Sequence, residues 1–376
     1  MPHGKYSEVM MFADVYAGKR VLITGHTGFK GSWLSTWLLQ LGAEVAGYSL
    51  EPPSSPSNFV VLGLEKRIKH YLGDVRDRSR LKQVFEEFKP DFVFHLAAQA
   101  LVRHSYKDPV TTFEVNALGT LNVLECLRTM PSIGAGIIIT SDKAYRNVEW
   151  IWGYRESDMM GGEDPYSGSK GCAELISHSY LHSYFRTADS TAVATARAGN
   201  VIGGGDWAED RIIPDCVRSW SRGEHVVLRN PRATRPWQHV LEPLSGYLWL
   251  GYHLWSRNTH AVNSSYNFGP DASVNQPVVE LIRRVGTYWP NASWVVEDEG
   301  ISDSPEAMLL KLCCDKALAE LSWQAVLPFE ETVRFTSQWY QQYYDNENAD
   351  MYAFTVRQIE EYSALAGLKG LAWSSM

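Results

Sequence analysis

Over the first two hundred residues, short apolar runs alternate with segments whose apolar positions recur at helical spacing. Arg20–Thr24 (RVLIT) is the first run and stops at a glycine; Lys30–Leu41 follows with apolar residues three and four apart. The same pattern predicts strands over Glu44–Leu50, Ile68–Gly73, Asp91–Ala97, Gly136–Thr140 and Ala192–Ala196. It predicts helices over Ser79–Phe88, Asn116–Arg128 and Tyr166–Phe185. Strands this continuously apolar are buried on both faces, and strands alternating with helices build parallel sheets. Right-handed crossovers then predict an α/β fold with a doubly wound parallel sheet.

After about Val201 the alternation fades and Gly, Pro, Arg and Trp become frequent, until a helix is expected over Phe329–Tyr343. The expected division is a first part over 15–200 and a smaller, mixed α/β part over 201–376, with some chain crossing back. A length of 376 residues suits two such parts. Hydrophobic residues at 45% and charged residues at 21% describe an ordinary globular chain. The net charge of -8 argues against nucleic acid as a partner, since that binding rests on phosphate neutralisation. Cys126, Cys172, Cys216, Cys313 and Cys314 contain no Cys-x-x-Cys spacing, so free thiols and no metal are expected. No basic leader and no apolar run of about 18 residues is found, which leads us to expect a soluble, cytoplasmic protein without a membrane partner. Most of the 14 Trp, Trp33 and Trp37 among them, are expected in the core.

Candidate chemistry begins where the first run ends. Gly25-His-Thr27-Gly28-Phe29-Lys30-Gly31 links a strand to a helix. A pyrophosphate sits on backbone N–H groups at a helix N-terminus, and Cβ atoms would block its approach. Downstream, Tyr166 and Lys170 stand four apart on a helix and so share a face. A cationic lysine there is expected to lower the phenol pKa and let it take a proton from a hydroxyl.

The Gly-x-x-Gly-x-x-Gly spacing followed by Tyr-x-x-x-Lys resembles the extended short-chain dehydrogenases. That resemblance implies a Rossmann sheet, NAD as cofactor and a sugar-nucleotide part after residue 200. The second strand ends in Tyr48, Ser49 and Leu50, with neither the acid usual for NAD nor a base for NADP. By resemblance, Asp74 and Val75 stand near the adenine, Leu96, Ala97 and Ala98 let the cofactor lie close, and Asn116 supports the active-site end of the sheet. Ser141 matches the Ser/Thr that hydrogen-bonds the substrate hydroxyl. Asp142 and Lys143 follow it, where nucleotide-sugar 4,6-dehydratases carry an acid and a base for an elimination between two hydride transfers. Most carry Glu as base; a Lys is similar to the CDP-glucose 4,6-dehydratases. The resemblance thus implies CDP-glucose as substrate, water and a 4-keto-6-deoxy sugar nucleotide as products, and deoxysugar supply for surface polysaccharide. As base, Lys143 has to shed its proton, which calls for burial or for the neighbouring charges of Lys170 and Arg103.

Asn200, Arg211 and Arg235 match positions that grip the substrate pyrophosphate. Gln99, His104 and Ser105 are expected to face the hexose, and His239 to lie with Arg235 at the substrate. Members commonly form homodimers or homotetramers through two helices, here near Asp108–Arg128 and Tyr166–Phe185. Two other readings stay open. A nucleotide-sugar 4-epimerase would not need a charged pair after Ser141. A non-enzymatic NAD-sensing scaffold would not need Ser141, Tyr166 and Lys170 together.

Overall fold

The computed structural model describes residues 11–228, 230–271, 274–296 and 309–374. Its strands are β1 (Arg20–Thr24), β2 (Glu44–Ser49), β3 (Lys69–Leu72), β4 (Phe92–His95), β5 (Ala135–Ile139) and β6 (Ala192–Arg197), then β7 (Val201–Ile202), β8 (Val226–Leu228), β9 (Thr234–Arg235), β10 (Gln238–His239), β11 (Ser265–Asn267), β12 (Gln276–Pro277) and β13 (Trp294–Val296). One seven-stranded sheet runs in the order β11-β6-β5-β4-β1-β2-β3. Every neighbouring pair in it is parallel. The order reverses between β1 and β4, and such a switch point opens a crevice at the carboxyl ends of the strands.

Helices cover both faces. α1 (Phe29–Gln40), α2 (Asn58–Val61) and α3 (Arg78–Phe88) follow β1, β2 and β3, and α4 (Val102–Lys107), α5 (Pro109–Phe113) and α6 (Gly119–Thr129) lie between β4 and β5. A π-helical turn over Glu114–Leu118 joins α5 to α6, so the single helix expected from Asn116 is continuous with an irregular first turn. α7 (Pro165–Tyr184) begins sharply: Pro165 sits in its first turn and the Asp164 side chain accepts the Ser167 N–H. α3, α6 and α7 pack on one face around Leu22, Val93, Ile138, Leu124 and Leu181.

The other face is covered by α1 and by later chain. After α8 (Ile212–Ser221), α9 (Leu241–Trp255) lies against β5 and β6, and β11 then adds the edge strand beside β6. α10 (Val278–Gly286), α11 (Asp315–Leu321), α12 (Phe329–Asp345) and α13 (Met351–Leu368) complete the chain, with α13 packed on α1. Trp33, Trp37, Trp323, Trp339 and Trp373 are fully buried, whereas Trp150 and Trp152 are exposed. Among the described residues, no helix is long and apolar enough to cross a membrane.

Candidate active site

Close backbone packing builds the glycine turn. Gly25 takes a φ of 80°, and a Cβ there would stand 2.6 Å from the Ala97 nitrogen. A Cβ on Gly31 would stand 2.3 Å from the Gly25 oxygen, so α1 could not start this close to β1. Gly28 forms the N-cap of α1 and provides no side chain to the first turn, whose N–H groups remain available to an anion. Thr27 is buried; its hydroxyl pairs with Ser49 at 2.7 Å and donates to the Leu50 carbonyl at 3.1 Å, pinning the turn to the end of β2. Leu96 and Ala97 hydrogen-bond back to Thr24, and Ala98 follows them out of β4. Asp74 pairs with Arg76 at 2.7 Å, and Arg76 also reaches Glu114 at 2.9 Å. Val75 is buried against Gly119. Asn116 accepts the Gln99 N–H at 2.8 Å and donates to Ser169 at 2.8 Å, bracing the loop after β4 against α7.

A cavity of about 750 Å³ opens beyond the strand ends. Phe29, Lys30, Ser141, Asp142, Lys143, Tyr166, Asn200, Arg211 and Arg235 all line it, although they are spread over two hundred residues of chain. β5 delivers Ser141, whose side chain caps a 3₁₀ turn over Asp142–Ala144 by accepting the Lys143 N–H at 3.3 Å. The Ser141 hydroxyl donates to Asp142 Oδ1 at 3.0 Å. Asp142 is buried, which pushes its carboxyl up; Lys143, Ser141, Lys30 and Arg235 oppose that rise. Its Oδ2 lies only 1.8 Å from where a Cβ of residue 199 would stand, so only glycine fits there. Lys30, in the first turn of α1, has its amine lowered to about 8 by burial, with Arg211 adding and Asp142 opposing.

Tyr166 and Lys170 lie one turn apart on α7 and are both buried. Burial raises the Tyr166 phenol, and Ser141 pulls the other way by hydrogen bonding. Burial likewise lowers Lys170 to about 8, countered by Glu174 one turn on. Lys170 was expected to lower the phenol; burial, the largest influence on it here, raises it.

Behind this wall lies a network that the sequence reading missed. Arg197, at the end of β6, forms a two-pronged pair with Glu174 at 2.8 Å, each about 4% exposed. Glu174 also accepts hydrogen bonds from Thr140 and Thr195, and Arg197 donates to the Tyr145 hydroxyl at 2.6 Å. The Lys170-to-Glu174 spacing on one helix face was the available signal.

β7 pairs with β10, which brings Asn200, with a φ of 40°, beside the Arg235 segment. Arg211 pairs with Asp206 at 2.8 Å, and Arg103 crosses to Asp210 at 3.0 Å; all four line the cavity or its rim. Four substrate assignments are corrected. His239 is fully buried between Trp33 and Phe335, and burial lowers its ring to about 3, so it is a neutral core histidine. Gln99 is engaged internally, its amide accepting the Leu101 N–H and donating to Thr112. Ser105 is buried and accepts the Tyr166 N–H, fixing the start of α7. His104 is exposed on α4 and does not line the cavity, where its neighbours Arg103 and Tyr106 do.

Residues 22–336 match the family model described as GDP-mannose 4,6 dehydratase. The chain is 44% identical over 358 residues to the CDP-glucose 4,6-dehydratase of Salmonella typhimurium, covering 94% of this chain and 98% of that protein. It is 24% identical to the dTDP-D-glucose 4,6-dehydratase of Mus musculus, covering 88% and 92%. The solved Thermus thermophilus UDP-glucose 4-epimerase in complex with NAD is 26% identical, with a TM-score of 0.73 over 86% of this chain and 99% of that one. Epimerase Mth375 from Methanothermobacter thermautotrophicus gives a TM-score of 0.76 at 24% identity, over 91% and 98%. The family match spans both the glycine turn and the arginine segment that closes the cavity, and the chain belongs to the GDP-mannose 4,6 dehydratase family.

Proposed function

We propose that the chain is an NAD-dependent CDP-glucose 4,6-dehydratase, which forms CDP-4-dehydro-6-deoxyglucose and water. The observation that carries this reading is the Ser141–Asp142–Lys143 turn facing the same cavity as Tyr166. The near relative's 44% identity supports CDP-glucose among the nucleotide sugars. The turn of Gly25, Gly28 and Gly31 and the uncapped start of α1 fit a dinucleotide pyrophosphate. Held at Gly25, Gly28 and Gly31, NAD would supply a reversible hydride acceptor for the C4 and C6 positions of the hexose.

The chain's own groups do the rest. Tyr166 receives the C4 hydroxyl proton, with Lys170 one turn along α7. Lys143 removes the C5 proton made acidic by the C4 ketone. Asp142, which burial favours in its protonated form, protonates the departing C6 hydroxyl. Asn200, Arg211 and Arg235 hold the substrate pyrophosphate, with arginine supplying forked donors. In this reading residues 15–200 chiefly carry the dinucleotide and 201–376 the sugar nucleotide. Exposed Val110, Phe113, Leu118, Leu175 and Tyr184, on the π turn, α5 and α7, favour pairing of two copies through those helices, as a homodimer or homotetramer.

Incubation with CDP-glucose is expected to give a product with the ultraviolet absorbance of a 4-keto-6-deoxy sugar in alkali. Its absence with CDP-, UDP-, dTDP- and GDP-glucose alike would sink the dehydratase reading and favour an epimerase. Gly199→Ala should displace the Asp142 carboxylate that occupies the Cβ position. We expect turnover to fall by about 100-fold or more, the scale of losing one general acid. Circular-dichroism melting close to that of the parent would show that the loss is local.

A further inference from the structure

Among the described residues, five cationic side chains line the cavity: Lys30, Arg103, Lys143, Arg211 and Arg235. Arg103 and Arg211 are held by Asp210 and Asp206. The amines of Lys30 and Lys143 meet no hydrogen-bond acceptor and no carboxylate within pairing distance among the described residues. Lys143 already has a task in the proposed elimination; Lys30 has none. Lys30 is the second residue of α1, and helical side chains lean toward the N-terminus of their helix. Its amine therefore enters the cavity beside the glycine turn. The charges that act on it come from the facing wall: Arg211 first, then Asp142, Lys170 and Asp206. Burial and, after it, Arg211 bring the amine down to about 8. An ammonium set opposite an arginine with no direct counter-ion is matched to an anion that enters between them.

We propose that the Lys30 side chain is a ligand for the diphosphate of the sugar nucleotide, supplied from the first part of the chain to complete a clamp whose arginines, Arg211 and Arg235, come from the second. This rests on the sugar-nucleotide reading of the cavity and deepens it. A sugar nucleotide carries a negative charge on each of its phosphates. Arginine grips such a group as a planar fork, whereas a lysine ammonium is a compact point charge that can turn to whichever oxygen the forks leave. The dinucleotide has a pyrophosphate of the same chemistry, but its place is on the N–H groups that open α1, which the glycine turn presents without a side chain. The surroundings of the Lys30 amine favour the substrate. Arg211 and Asp206 both follow residue 200, and Asp142 stands in the turn that serves the elimination. A bound diphosphate supplies the counter-ion that Lys30 otherwise lacks. The sugar nucleotide then bridges α1 and the two arginines, and so ties together the two parts of the chain.

Calorimetric titration of Lys30→Met with CDP, cytidine and NAD separates the two sources of that anion. CDP should bind about 10–100-fold more weakly than to the parent, the range for losing a charge-assisted contact. Cytidine, which lacks the phosphates, and NAD should each change by no more than about threefold, the scatter of a substitution that touches neither. Lys30→Arg should recover most of the CDP affinity. With CDP-glucose the loss should fall on KM rather than kcat, because the diphosphate contact is made equally before and during reaction. A CDP affinity equal to the parent's overturns the proposal. So does an NAD loss as large as the CDP loss, which would give the amine to the dinucleotide. An equal loss for CDP and cytidine also overturns it, since the diphosphate would then play no part. Lys30→Gln answers by the same titrations should the Met variant fail to melt cooperatively. UDP replaces CDP as the probe if the parent does not bind CDP, because the diphosphate is common to both. A parent that binds CDP but forms no keto sugar from CDP-glucose would instead refute the dehydratase reading, and the CDP titrations would still decide the role of Lys30.

Discussion

A Lys143→Ala enzyme is expected to oxidise its sugar nucleotide at C4 and then stop. Reduced nicotinamide should accumulate on the protein, exchange of the C5 hydrogen with heavy water should disappear, and turnover should fall by about 10²–10⁴-fold. The argument is positional. Lys143 shares the cavity wall with Asp142 and Tyr166, and no other lysine stands in the turn that follows β5. The amine is not needed to move the C4 proton, because Tyr166 and Ser141 are present without it. The outcome therefore separates the hydride step from the elimination: loss of Lys143 spares the first and stops the second. Normal deuterium incorporation at C5 in Lys143→Ala would remove the base assignment. Mass spectrometry of the recovered sugar nucleotide reads it directly.

Arg197→Met is expected to be the most destabilising single change near the site. Burial would raise the Glu174 carboxyl, but Arg197, by charge and hydrogen bond, together with the Thr140 and Thr195 hydroxyls, holds it below the ordinary carboxylate range. Removing the arginine leaves that carboxylate buried and uncompensated, at about 3–5 kcal/mol. It also strips a donor from Tyr145 and from the Glu156 carbonyl. For a chain of this size we expect the melting temperature to fall by roughly 4–6 °C. The sign with pH follows from the shift. In the parent, Glu174 contributes stability above the unfolded carboxylate pKa, and this contribution is lost as pH falls through the lowered folded value. In Arg197→Met the carboxylate is penalised at neutral pH and relieved by protonation, so the deficit should narrow on acidification. Urea denaturation at neutral and mildly acidic pH checks both the magnitude and the trend; equal losses at the two pH values would exclude an uncompensated Glu174.

The sheet was legible wherever burial leaves a pattern. β1, β4, β5 and β6 are apolar runs closed by glycine or by small residues, and their bounds fall within two residues of the expectation. α9 was not legible, because Leu241–Gly251 is buried on every side and so shows no helical stripe. β11 was missed for a different reason: Ser265, Tyr266 and Asn267 are too few and too polar to mark a strand. At the site, the order of the glycine turn, the Ser141–Lys143 turn and the Tyr–Lys helix could be read from local spacing. The directions of side chains in the loop after β4 could not. Gln99 turns inward to Thr112, and Ser105 turns toward the start of α7. Only the packing of α4 and α5 against α7 decides this. His239 shows the same limit, since a histidine beside Trp237 reads as polar until Trp33 and Phe335 are seen to enclose it.

The late return of chain to the sheet also sets an order of events during synthesis. When residue 200 leaves the ribosome, β6 has no partner on its outer side, and the faces of β5 and β6 that will meet α9 are bare. Both defects persist until Asn267 has emerged, because α9 and β11 repair them together. For nearly seventy residues of elongation the nascent sheet thus presents an unpaired strand and an uncovered apolar surface, the combination that recruits neighbouring chains into aggregates. Chaperone engagement should concentrate in that interval, and the polypeptide becomes safe to release only once its last sheet strand has closed the edge.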